Sequence, residues 1–187
     1  GNYNTALGRQ ALYLNTTASY STAVGYQALH SNTTGANNVA VGGLSLDANT
    51  TGDQNVAVGT SALGALTAGD KNVAIGNSAL SQFNVTDGSE TFNTAVGYAA
   101  GGAVTTGTTN TLVGGLAGTA ITGGVHNTTL GYNAGAAITT GDQNTCIGNF
   151  TGLLNTDLTT GDANTLIGFN LGTSAADSTH QIVIGNG

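Results

Sequence analysis

Eleven glycines recur along this chain at nearly one spacing: Gly8, Gly25, Gly42, Gly59, Gly76, Gly97, Gly114, Gly131, Gly148, Gly168 and Gly185. Eight of the ten successive differences in residue number equal 17, and the other two are 21 and 20. They close a recurring block of the form Asn, Thr or Val, Ala, an aliphatic residue, Gly, complete at Gly8, Gly42, Gly59, Gly76 and Gly97 and varied at the others. A period held over nearly the whole chain describes a stack of like units, each touching only its neighbours.

Numbering each unit from its glycine as position 1, position 17 is always aliphatic, from Leu7 and Val24 to Ile167 and Ile184. Position 15 is always β-branched, and position 14 is Asn in nine of eleven copies, with Ser21 and Gln181 as exceptions. Such residues favour strands, where positions 15 and 17 share a face. A second short apolar stretch follows, as in Ala28-Leu29 or Ala62-Leu63. A turn signal then comes in Thr33-Thr34-Gly35 or Thr50-Thr51-Gly52. The unit reads as one coil of an all-β parallel β-solenoid, or β-roll, with two short strands per coil. Eleven coils at ~4.8 Å make a rod of roughly 50 Å. No helical stripe persists, and a sandwich does not need a fixed period.

The repeats divide into two types. Through residue 83, position 5 is leucine (Leu12, Leu29, Leu46, Leu63, Leu80); from Gly97 onward it is glycine, and Val104, Ile121 and Ile138 appear at position 8. The expected organisation is a first solenoid type over 1–83, an insertion-bearing coil over 84–96, and a second type over 97–187. The inner packing is expected to change at the insertion.

Each coil has few aliphatic side chains to set against the entropy of ordering its backbone, so further apolar surface should be covered. Position 16 is small and apolar in nearly every copy: Ala6, Ala23, Ala40, Ala57, Ala74, Ala95, Leu112, Thr129, Cys146, Leu166, Val183. A solvent-facing row is ordinarily polar. The expectation is therefore that this row faces outward and forms an oligomer interface between chains.

The blocks Asn38-Val39-Ala40-Val41-Gly42 and Asn72-Val73-Ala74-Ile75-Gly76 resemble the repeats of YadA-like trimeric autotransporter adhesin heads. The fuller unit from Gly25 to Gly35 is similar to repeats of phage and bacterial tail-fibre-like proteins. The resemblance implies a homotrimeric segment of an extracellular or virion fibre, an adhesin shaft or head. Its partners would be itself and a host or cell-surface glycan or protein receptor.

Composition narrows the function. Two cations, Arg9 and Lys71, stand against nine carboxylates for a net charge of −7, which cannot neutralise a phosphate backbone; no nucleic-acid partner is expected. No apolar run reaches transmembrane length, so no membrane insertion is expected in this segment. One cysteine excludes an intrachain disulfide framework and a cysteine zinc site. The absence of methionine reads as a piece of a longer protein. His30, His126 and His180 fall on distant coils, and no catalytic group or cofactor is expected. Asp53, Asp70, Asp142 and Asp162 share position 12. There they either cap turns or hold a cation, and capping is the preferred reading, with no metal site. A tailspike-like polysaccharide-degrading enzyme would need a carboxylate pair in a groove. The nearest pairs, Asp87 with Glu90 and Asp157 with Asp162, read as solvated loop charge. Threonines at position 9 raise an ice-binding alternative, although they sit in a turn. Surface contacts are expected in the loop 84–90, at Asn84, Asp87 and Glu90, in the loop 155–157, and at Tyr26, Tyr98 and Tyr132, which equally suit packing along the stack.

Overall fold

The computed structural model describes residues 1–153 and 158–187. It is a parallel β-solenoid with one strand per coil. The strands are β1 (Thr5–Leu7), β2 (Thr22–Val24), β3 (Val39–Val41), β4 (Val56–Val58), β5 (Val73–Ile75) and β6 (Thr94–Val96). They continue as β7 (Thr111–Val113), β8 (Thr128–Leu130), β9 (Thr145–Ile147), β10 (Thr165–Phe169) and β11 (Ile182–Asn186). All eleven lie in one sheet in sequence order, every neighbouring pair parallel and in the register of the repeat. Among the described residues there is no helix.

The second side of each coil is not the strand expected from the sequence. Positions 3 and 5 take left-handed φ in coil after coil, for example Gln27 at 55° and Leu29 at 50°. Two such residues two apart fold the chain into turns, yet its N–H groups still bond alternately to the coils above and below. Leu29 N–H donates to the Ser45 carbonyl at 3.0 Å and Gln27 N–H to the Arg9 carbonyl at 3.0 Å. Position 1 must be glycine. Its φ is 130° in Gly59, and a methyl built there would lie 2.5 Å from the Gly76 carbonyl oxygen of the next coil.

The position-16 row corrects the sequence reading. Ala23, Ala40, Ala57, Ala74, Ala95, Leu112, Cys146 and Leu166 are wholly buried inside their own solenoid and cannot form an interface between chains. Ala6 and Val183 belong to the same inward row and are more open only because the first and last strands have one neighbour each. The reason is space. So short a coil encloses a narrow interior, filled by position 16, the alanines of position 4 and the residues at positions 5 and 8. The β-branched residues at 15 and the aliphatic residues at 17 therefore stand outside, where width is free.

The two repeat types are two solutions to filling that interior. In β2 to β5 alanine at position 16 faces leucine at position 5, whereas β7 carries Leu112. A methyl on Gly118 would meet Leu112 Cδ2 at 2.8 Å, and one on Gly101 would meet Leu112 Cδ1 at 2.6 Å. The four-residue insertion does not interrupt the sheet, since Val73 pairs with Thr94 across it. Its Val85 packs against the core, and Asp70 and Glu90 form a parallel bridge. The three-residue insertion, and with it the Asn155–Asp157 loop and one member of the Asp157–Asp162 pair, lies outside the described residues.

Position 14 supplies the polar spine. From Asn38 to Asn164 its asparagines are buried. Each Oδ1 accepts the backbone N–H of position 14 in the next coil, as Asn110 accepts from Asn127 at 2.9 Å. Most Nδ2 groups donate to a glycine carbonyl of the neighbouring turn, as Asn110 does to Gly124 at 2.9 Å. A second amide row at position 8 holds Asn32 and Asn49, both buried, so the Asn-Thr-Thr triplets there do not present an acceptor amide for glycosylation. That row stops at Leu66, and Asn49 Oδ1 is left without a partner.

Candidate interaction surfaces

Three kinds of outward feature are available: the strand face, exposed aromatics, and the loop 84–90. On the strand face, position 17 sets an aliphatic residue at every coil, half-buried or exposed. Val41, Ile75 and Leu130 are 36%, 39% and 47% accessible in the middle of the rod. Position 15 runs beside it with seven threonines, three valines and Ile182. No residue in either row is charged.

The tyrosines singled out by sequence are exposed but not assembled into one row. Tyr26 lies under the Arg9 guanidinium at 5.8 Å, and Tyr132 meets Phe150 edge-on at 5.5 Å, with Phe150 in turn edge-on to Phe169. Gly115 separates Tyr98 from Tyr132 at position 2, and the Tyr132 ring leans over it. Sequence reasoning missed the stacked pairs Tyr3–Tyr20 and Tyr13–His30, at 5.1 and 5.5 Å between ring centres. Their signal was present, since the members of each pair stand one full repeat apart. In the insertion loop, Lys71 pairs with Glu90 and stands over Phe92. Ser89 hydrogen-bonds the exposed Asp87 carboxylate and holds its pKa below the ordinary value. Asn84 is committed inward, accepting from Thr67 N–H and Oγ1.

The position-12 aspartates cap backbone, but that of the preceding coil instead of their own turn. Asp53 Oδ1 accepts from Ala36 N–H, Asp70 from Asp53 N–H, Asp142 from Val125 N–H and Asp162 from Asp142 N–H, at 2.6 to 2.8 Å. Among the described residues no three histidines, cysteines or carboxylates gather as for a metal ion. The position-9 threonines are also committed: Thr33 Oγ1 donates to the Thr50 carbonyl at 2.9 Å and Thr50 Oγ1 to that of Thr67 at 3.0 Å. Burial pushes the Cys146 thiol up to about 12, which leaves it protonated and inert at neutral pH.

Burial also raises the Asp70 carboxyl above its ordinary value, against the opposing pull of the Asp53 N–H. A raised folded pKa means that stability is fully present in acid and declines as pH rises through the folded value. Asp47 shifts the same way through burial; Asp87 shifts oppositely, so its contribution is lost in acid. Asp70→Asn keeps the acceptor for Asp53 N–H and removes the desolvated charge. Its Tm should rise at pH 7 and stay near wild type at pH 4, read by circular dichroism. A lower Tm at pH 7 would show that the charge itself stabilises the stack.

No pocket occurs among the described residues, and no helix there is long and apolar enough to cross a membrane. No family model, curated protein or solved structure matches the chain.

Proposed function

We propose that this chain is a structural and attachment segment of an extracellular or virion fibre, an adhesin or tail-fibre shaft or head, and that it performs no catalysis. The observation that carries the reading is the uniform stack. Every coil repeats one backbone course and contacts its neighbours, so adding coils adds length and nothing else. Length is what a spacer needs, whereas catalysis needs one place unlike the others.

The chemistry of the surface agrees. Outside the strand face, Asn, Thr, Ser and Gly predominate, and such groups hydrogen-bond neutral partners without charge. A cell-surface glycan or protein receptor fits that surface; with only Arg9 and Lys71 as cations, a nucleic acid does not. Specific contact belongs to the places where the repeat breaks, the loop 84–90 with Asp87 and Glu90 and the exposed Tyr26, Tyr98 and Tyr132.

The test is made in the parent protein. Removing two whole coils, from Gly42 through Ile75, should shorten the particle by ~10 Å in electron micrographs and leave the remainder folded. Removing residues 1–187 should abolish attachment to the host or target surface. Unchanged attachment and unchanged assembly after that larger deletion would refute the fibre reading, as would release of oligosaccharides from a capsule by the purified chain.

A further inference from the structure

Two glycines of the position-2 row have no structural duty. Gly43 and Gly115 lack the left-handed φ of Gly42 and Gly114, so their backbones do not call for glycine. Space does not call for it either. A methyl on Gly43 would come no nearer than 3.9 Å, to the Tyr26 carbonyl oxygen, and one on Gly115 would rest against the Tyr132 ring at an ordinary 3.4 Å. Thr60, Asn77 and Asn149 fill the same row in other coils. Each of the two glycines follows, one coil on, an exposed tyrosine: Tyr26 precedes Gly43 and Tyr98 precedes Gly115. What glycine leaves there is a bare ring. One face of Tyr26 lies under the Arg9 guanidinium, and the other is turned toward Gly43, where no side chain stands. The Tyr98 ring also keeps clear of its glycine, and Tyr132 closes that notch from the far side. By contrast, the stacked pairs Tyr3–Tyr20 and Tyr13–His30 cover one ring face of each member with the other. We infer that the two notches, Tyr26 with Gly43 and Tyr98 with Gly115 and Tyr132, are subsites for the pyranose rings of one neutral oligosaccharide lying along the rod. This rests on the attachment reading above and names the class of ligand that the surface takes.

Charge selects the class. The rows at positions 1, 3 and 17 carry no charged residue, and position 2 carries only Arg9. No carboxylate stands there to hold a cation, and a chain of net charge −7 repels sugars that bear carboxylate or sulfate. A neutral pyranose suits the surface. Its C–H face is apolar and stacks on a tyrosine ring, while the hydroxyls around its rim reach the Thr60 hydroxyl and the Asn77 amide, both exposed between the notches. Spacing selects an extended chain. Tyr26 and Tyr98 share one row four coils apart, ~19 Å at the strand separation. Neither notch is a pocket, so each holds a ring weakly. A sugar chain that reaches both gains through effective concentration.

The chain has six tyrosines and no tryptophan, so tyrosine fluorescence reads the notches directly. The purified chain is titrated with hexaoses of glucose, mannose, galactose and N-acetylglucosamine, and with oligogalacturonate and oligosialic acid of like length. At least one neutral hexaose should change the emission saturably, and neither acidic chain should bind. The disaccharide of the same sugar, too short to reach both notches, should bind about tenfold more weakly. Gly43→Thr with Gly115→Thr places in both notches the side chain that Thr60 carries in the same row. Affinity should fall by about tenfold or more, with Tm and the far-UV circular dichroism spectrum unchanged. Should that pair prevent folding, Tyr26→Ala with Tyr98→Ala should give the same loss. Gly123→Thr, in open space on another side of the coil, should bind as wild type does. The inference is overturned if no neutral hexaose responds, if only the acidic chains do, or if Gly123→Thr loses as much affinity as the paired variants. It is overturned as well if attachment by the parent protein survives periodate oxidation of the surface sugars and is lost on protease treatment of that surface. A parent protein that still attaches with both threonines in place removes these subsites alone, and the fibre reading is decided separately by deletion of residues 1–187.

Discussion

Asn110→Ala should destabilise the solenoid by about 2–6 kcal/mol, because it strips two partners from groups that water cannot reach. Asn127 N–H loses its acceptor at 2.9 Å and the Gly124 carbonyl loses its donor at 2.9 Å, both inside the stack. Each orphaned buried group costs about 1–3 kcal/mol, a large share of the ~5–15 kcal/mol that holds a domain together. Asn77→Ala, on the exposed position-2 row, should stay within ~0.5 kcal/mol of wild type. Asn110→Asp separates shape from hydrogen bonding. Its carboxylate still accepts from Asn127 but turns a second acceptor on the Gly124 carbonyl, with a charge that burial penalises. The folded pKa of the new acid is therefore raised. Its stability is retained in acid, where a protonated oxygen donates to Gly124, and is lost as pH rises through that value. Urea titrations at pH 4 and pH 7 check both variants. An Asn110→Ala midpoint equal to wild type would mean that the amide row is incidental.

The period, the parallel strands and their register were legible because a repeat forces identical residues into rows, and rows of β-branched residues form strands. The asparagine at position 14 was visible as a constant, although its reason was not: the residue is set by a neighbour one whole repeat away in sequence, not by its own turn. The same distance explains the aspartates, which cap the preceding coil. The turns on the second side were hidden because nothing local asks Leu29 or Gln27 to adopt positive φ; the stack imposes it. Which way the strand faces could not be read from hydropathy, since rows on both faces are apolar. Size decided it. The row with the smallest residues, at position 16, is the one that must fit inside, and the larger rows, β-branched at 15 and aliphatic at 17, are outside. A signal for this was present in the chain: position 16 becomes leucine at Leu112, in the coils where position 5 becomes glycine at Gly101 and Gly118. Residues that exchange volume in this way face each other.

That exchange predicts a rescue. Leu112→Ala alone should cost about 2–5 kcal/mol, since it empties space that Gly101 and Gly118 cannot fill. Gly118→Leu alone should cost about 1–3 kcal/mol, because its side chain enters the volume of Leu112 Cδ2 and Ile121 Cδ1, 2.8 and 2.9 Å from where its Cβ would stand. Backbone conformation does not forbid the leucine: Gly118 has φ 58°, and Leu63 occupies the equivalent position at 50° with Leu66 beside it. Ala57, Leu63 and Leu66 already pack together in the earlier coils. The double variant recreates that combination, with alanine at position 16, leucine at position 5 and the native Ile121 at position 8, so its two costs should not add. A coupling of at least ~1.5 kcal/mol in favour of the double variant is expected from a double-mutant cycle in urea. Independent sites add to within ~0.5 kcal/mol, and a cycle that closes that tightly would mean the two repeat types differ for some reason other than sharing one interior volume. Rescue would establish that a coil of either type is specified by volume summed across the interior, and that position 16 belongs to the core of each chain while positions 15 and 17 remain free for whatever the rod touches.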